Sequence, residues 1–240
     1  MNSDTMIRNF LNYKILILLL SSFAFFAAAC GVPTMTGKNS SPATNKDAAP
    51  AKVITNNKPK ILAFGDSLTI GLGLTEKESY PSLLQEKLKA DSYDYEVLNA
   101  GMSGDTSGGG LERIDWSLNQ PNIEILILEL GANDILKGLP IEQMKSNLTQ
   151  IIRRAKAKNI KVLLCGMYAP LNLGGERGQA INKAFQDLAS QEKVDFMPFF
   201  LEGVGGVPKL NQADGIHPNP EGTRMVADKV YKSLKPMLKK

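Results

Sequence analysis

The sequence predicts an α/β domain of three layers, in which a parallel sheet of five strands is covered by helices on both faces. Two observations predict it. From Pro59 onward, short and nearly continuous apolar runs alternate with longer segments whose apolar residues recur at helical spacing. Each of the first three runs also gives way to a turn that carries a glycine: Gly65, Gly101 and Gly131. In sheets of this kind ligands bind beyond the carboxyl ends of the strands, so the residues that follow each run are the ones to weigh for chemistry.

The 240 residues leave room for one ordinary domain and additional segments. Residues 1–29 predict an export signal: Arg8 and Lys14 precede an apolar run over 15–26, followed by Ala27-Ala28-Ala29-Cys30. The apolar stretch falls short of the roughly 20 residues that a spanning helix needs, and Ser21-Ser22 interrupts it, which favours export over a permanent transmembrane anchor. The small residues before Cys30 resemble a bacterial lipoprotein signal, in which the cysteine becomes the lipidated first residue of the mature protein. Ala27 departs from that pattern, where leucine is commonest, so plain cleavage after Ala29 stays open. Cleavage without lipidation would leave Cys30 as an unpaired exposed thiol, which favours the lipid anchor. In a Gram-negative host, Gly31 after the cysteine resembles a signal for the outer membrane. The expected location is the cell envelope, membrane-anchored through Cys30.

Residues 30–58 are rich in Pro, Thr, Asn, Ser, Ala and Lys and read as a flexible tether. The net charge of +4 belongs to residues 1–58, the signal and the tether together. Residues 1–58 hold six Lys and Arg against two Asp and Glu, whereas residues 59–240 hold 22 of each kind. The globular part is neutral overall, which argues against a nucleic-acid partner. With two cysteines, Cys30 and Cys165, no disulfide framework is implied.

Within the domain at 59–240, strands are predicted over 60–64, 95–99, 123–130, 161–167 and 194–196. Helices are predicted over 80–90, 111–119, 141–158, 178–193 and 220–238. The helix at 141–158 is the clearest, with Leu148, Ile151, Ile152 and Ala155 on one face.

The first strand ends in Gly65-Asp66-Ser67. A serine there reads either as a helix cap or as a nucleophile, and a serine hydroxyl needs a neighbouring base to attack at neutral pH. The chain has one histidine, His217, within Asp214-Gly215-Ile216-His217. Three residues of separation let the Asp214 carboxylate accept from Nδ1–H and leave Nε2 free for Ser67. Gly-x-Ser-x-Gly is absent, which counts against the α/β-hydrolase family proper.

The second strand leads into Ser103-Gly104-Asp105-Thr106, with Gly108-Gly109-Gly110 beyond it. A phosphate loop is disfavoured, since no Gly-Lys-Ser/Thr follows. The loop either merely turns or lets the Gly104 N–H approach a substrate oxygen. After the third strand, Asn133 reads as a turn residue or as an amide aimed at developing negative charge, and Asp134 as a brace for the loop. Cys165 falls within an apolar run and reads as a buried, inert thiol. Residues 168–175, partly apolar and on the same rim, are the expected wall or lid of an acyl pocket.

Four blocks stand in order: Gly65-Asp66-Ser67-Leu68, Gly104 within Ser-Gly-Asp-Thr, Gly131-x-Asn133-Asp134, and Asp214-x-x-His217. Together they resemble the GDSL, or SGNH, hydrolase family over residues 59–240. Glu129-Leu130-Gly131-Ala132-Asn133-Asp134 and Asp214-Gly215-Ile216-His217-Pro218-Asn219 look like its bacterial lysophospholipase, thioesterase and arylesterase branch. The resemblance implies a flavodoxin-like sheet of strand order 2-1-3-4-5 and no metal or organic cofactor. It makes Ser67 the nucleophile, His217 the general base and then acid, and Asp214 its orienting partner. The oxyanion would be held by the N–H groups of Ser67 and Gly104 and the amide of Asn133. The expected substrates are lysophospholipids, acyl or aryl esters, or thioesters. The alternative within the same machinery is removal of acetyl groups from cell-wall or capsular sugars.

Overall fold

The computed structural model describes residues 57–168 and 175–240. The expected export signal, Cys30, nearly all of the tether and residues 169–174 of the expected lid lie outside the described residues.

The elements are β1 (Lys60–Gly65), α1 (Ser67–Ile70), α2 (Tyr80–Ala90), β2 (Glu96–Gly101), α3 (Ser107–Leu118), β3 (Ile123–Glu129), α4 (Ala132–Leu136), α5 (Ile141–Ala157), β4 (Lys161–Cys165), α6 (Glu176–Glu192), β5 (Asp195–Met197) and α7 (Pro220–Leu234). The strands form one parallel sheet in the order β2-β1-β3-β4-β5. Helices α2 and α7 pack together on one side, and α3, α5 and α6 pack in sequence on the other. The middle layer is therefore dry: Ile61 to Phe64 and Ile125 to Leu128 are buried, as continuous apolar strands covered on both faces should be. Among the described residues no helix is long and apolar enough to cross a membrane.

Local chemistry sets the helix starts. Ser79 accepts from Ser82 N–H ahead of α2, with Pro81 in the first turn. Asn219 accepts from the N–H groups of Glu221 and Gly222 ahead of α7, with Pro220 as its first residue. Helix α5 buries Met144, Leu148, Ile151, Ile152 and Ala155 in one stripe.

Most of the expected boundaries move by a residue or two, and a few by more. The α7 helix stops at Leu234 and continues as a 3₁₀ turn over Lys235–Met237, because Pro236 has no N–H to donate. The strands expected at 123–130 and 161–167 end at Glu129 and Cys165. Helix α3 begins at Ser107, four residues before the expected 111, and takes in all three consecutive glycines. The Thr106 hydroxyl accepts from Gly109 N–H and so caps this start. A Cβ on Gly110 would lie 2.3 Å from Leu130 Cδ1 and 3.2 Å from Phe64 Cε1. Glycine is therefore a packing requirement here, letting α3 close on the sheet despite its low helix propensity.

Candidate active site

The strand order puts β1 between β2 and β3, so the turns that follow these three strands are neighbours at the carboxyl rim. Ser67 lies at the start of α1, 9 % exposed, with Asp66 before it as the cap. Gly104 lies in the turn after β2 with φ at 81°, left-handed backbone that a side chain would strain. Asn133 lies in α4, just after β3.

His217 comes from the far end of the chain, and its loop is fastened back over this rim. Asn211 bridges Pro218, Gln212 N–H donates to the His217 carbonyl at 2.8 Å, and Gln212 Nε2 donates to the Leu72 carbonyl at 2.8 Å. The result puts His217 Nε2 2.9 Å from Ser67 Oγ. On the other side of the ring, Nδ1 lies 2.6 Å from Asp214 Oδ2. Asp214 Oδ1 accepts from the backbone N–H groups of Ile216 at 2.9 Å and His217 at 3.0 Å. These bonds, that from the His217 ring first, draw the Asp214 carboxyl down to about 2, so the group beside the imidazole stays an anion.

Ser67, Gly104, Asn133 and His217 all line one cleft of about 840 Å³. Its remaining wall is mostly apolar and includes Leu72, Leu136, Met167, Tyr168, Phe199 and Ile216. Tyr168, the first residue of the expected acyl-pocket wall, stacks on Phe199 with ring centroids 4.3 Å apart and 3° between planes. Phe199, Leu72, Leu136 and Ile216 were not singled out from the sequence. The available signal was an apolar residue in a turn beyond a strand, where burial in the core does not account for it.

A second, buried polar layer lies beneath the rim. Asp66 accepts from Leu68 N–H at 3.0 Å and from Asn133 Nδ2 at 3.0 Å. Asn133 Nδ2 also donates to the Asp105 carbonyl at 2.8 Å. Glu129, fully buried, accepts from the Thr69 hydroxyl at 2.7 Å and from Asp66 N–H at 3.4 Å. Burial pushes the Asp66 carboxyl up to about 6 against the opposing bond from Leu68 N–H. Burial, with the Asp66 charge added, pushes Glu129 well above the usual carboxylate range. Asp134 braces the rim: its carboxylate accepts from Ser107 N–H at 2.7 Å and from the Ser107 hydroxyl at 2.6 Å, tying α4 to the start of α3. Cys165 is buried in β4, and its thiol is held well above its ordinary range, an unreactive state.

Comparison with known proteins gives a consistent picture. Residues 63–225 match the model of the GDSL-like Lipase/Acylhydrolase family. The chain is 42 % identical to an esterase, TesA, of Pseudomonas aeruginosa over 178 residues, 74 % of this chain and 89 % of that protein. It is 36 % identical to thioesterase 1/protease 1/lysophospholipase L1 of Escherichia coli, over 74 % of this chain and 84 % of that one. A crystal structure of TesA superposes with a TM-score of 0.73 at 41 % identity, covering 75 % of this chain and 99 % of that one.

Proposed function

Because the chain belongs to the GDSL-like lipase/acylhydrolase family and is a hydrolase of ester bonds, we propose that it works through a two-step acyl transfer centred on Ser67. The observation that carries the reading is the unbroken line from Asp214 through His217 to Ser67, at 2.6 and 2.9 Å. Ser67 Oγ attacks the carbonyl carbon while His217 Nε2 takes its proton. The Asp214 carboxylate holds Nδ1–H and stabilises the imidazolium that forms. The charge on the former carbonyl oxygen meets the N–H groups of Ser67 and Gly104 and the Asn133 amide. The imidazolium then protonates the leaving group, and a water activated by the same nitrogen releases the acid.

The apolar walls of the cleft suit the acyl part of a lysophospholipid, an acyl or aryl ester, or a thioester. For the rest of the chain we propose an export signal over 1–29, a lipid anchor on Cys30, and a tether over 30–58 that leaves the hydrolase domain at the envelope membrane.

The test is hydrolysis of a nitrophenyl acyl ester by the wild-type chain and by Ser67→Ala. Turnover should fall by about 10⁶, and a fluorophosphonate probe should label Ser67 in the folded wild type only. Full activity in Ser67→Ala would remove the assignment. Relative rates on lysophospholipid and on acetylated glycans separate lipid-ester hydrolysis from sugar deacetylation. Mass measurement of the exported chain reads out lipid on Cys30.

A further inference from the structure

We propose that Arg113 is a positioning residue that keeps the three oxyanion donors in register. The proposal rests on the reading of Ser67, Gly104 and Asn133 given above. Arg113 projects from α3 beneath the carboxyl rim, and it is not among the residues that line the cleft. Its guanidinium lies over the Phe64 ring, 3.8 Å from the centroid. Nη2 donates to the Gly65 carbonyl at 2.9 Å, Nη1 to the Ala100 carbonyl at 2.9 Å, and Nε to Asp105 Oδ2 at 2.6 Å.

Each attachment point leads to one donor. Gly65 is the last residue of β1, two before Ser67. Ala100 is next to last in β2 and opens the path to Gly104. Asp105 follows Gly104 directly, and its carbonyl is an acceptor for Asn133 Nδ2. One rigid cation is thus fastened to the segments that present Ser67 and Gly104, and it is linked to Asn133 through Asp105, whose carbonyl accepts from Nδ2.

Only a planar fork reaches three acceptors in fixed directions, which a lysine ammonium cannot reproduce. The side chains of Arg113 and Asp105 are 18 % and 11 % exposed, so this pair is shielded from the screening that weakens a surface bridge. Catalysis by preorganised dipoles is sensitive to small displacement, since about 1 Å of misplacement can lower a rate by about 10²-fold.

The experiment measures kcat and KM on a nitrophenyl acyl ester, together with the rate of Ser67 labelling by a fluorophosphonate. Arg113→Met keeps apolar packing over Phe64 and removes every donor. It should lower kcat by about 10- to 100-fold with KM within about twofold, and slow labelling by a similar factor. Arg113→Ala should regain part of the lost kcat with millimolar methylguanidinium. A folded Arg113→Met with unchanged kcat, or with a change confined to KM, would overturn the proposal. If Arg113→Met does not fold, Asp105→Asn decides: a kcat lowered by about 3- to 10-fold supports it, and an unchanged kcat overturns it. Failure of the nucleophile assignment would appear instead as activity retained by Ser67→Ala.

Discussion

Asn133 is bonded to Asp66. The amide nitrogen lies 3.0 Å from Asp66 Oδ2 and 2.8 Å from the Asp105 carbonyl, so the amide cannot flip without losing both bonds, and one of its hydrogens must leave its present acceptor to meet an oxyanion. The nitrogen end is thereby held toward Asp66, the residue before Ser67. Asn133→Ala should lower kcat by about 10² to 10³ with little change in KM, read from steady-state kinetics on a short acyl ester. An effect on KM alone would mean that the amide binds substrate but does not meet developing charge.

Activity should rise with pH. Only a neutral imidazole can accept the Ser67 proton, whereas Asp214, drawn down to about 2, stays charged throughout the working range. Acidification should therefore lower kcat/KM, because a protonated imidazole cannot accept the Ser67 proton. Asp214→Asn should lower kcat by about 10⁴. A rate that stays level down to about pH 4 would contradict the role of His217.

Stability should show the opposite sign at Asp66. Burial raises this carboxyl from its ordinary 3.8 to about 6, so folding takes up a proton between those values. The folded state then loses stability as pH rises through that window and carries the full penalty above it. Asp66→Asn, which can still cap α1 but turns a donor toward Asn133 Nδ2, should shift Tm more favourably at pH 8 than near pH 3.5, by a difference of about 3 to 8 °C. An equal shift at both pH values would point to packing instead of charge.

Two glycines should fail in different ways. A Cβ on Gly65 would lie 2.1 Å from the Thr69 hydroxyl and 2.5 Å from the Glu129 carbonyl oxygen. Gly65→Ala should destabilise by about 1 to 3 kcal/mol, visible in thermal unfolding. Gly104 has nothing within 4 Å of the same position, and its φ of +81° is the main obstacle. Gly104→Ala should change Tm far less and lower kcat by about tenfold or more, since the N–H it must present shifts.

The Tyr168 and Phe199 stack should set acyl preference. Tyr168→Ala removes one apolar wall of the cleft, and the kcat/KM ratio for octanoyl over acetyl ester should fall by about tenfold. A ratio unchanged by the substitution would place the acyl chain elsewhere.

The sheet was legible because its central strands are buried on both faces, and continuous runs such as Ile125 to Leu128 allow few other readings. The expected strand order 2-1-3-4-5 is the observed one. The residues of the candidate site were legible as types at the ends of strands, and the structure brings Ser67, Asp214 and His217 within hydrogen-bond reach. The start of α3 was not legible, because three glycines in a row suggest a loop and the reason they are helical is the distant Leu130 and Phe64. Nor was the buried support: Asp66, Glu129 and Arg113 are ionisable side chains that a linear reading assigns to solvent, and only tertiary structure shows what each one holds.

The hydrogen bond between Ser67 and His217 joins residues 150 positions apart. In the proposed mechanism the nucleophile belongs to the turn after β1 and its base to the loop just before the final helix. On that mechanism a chain cut short between Ser67 and His217 would keep the serine and lack the base that activates it. Hydrolytic competence would then require both ends of the domain, and the onset of turnover during refolding would report the docking of the His217 loop.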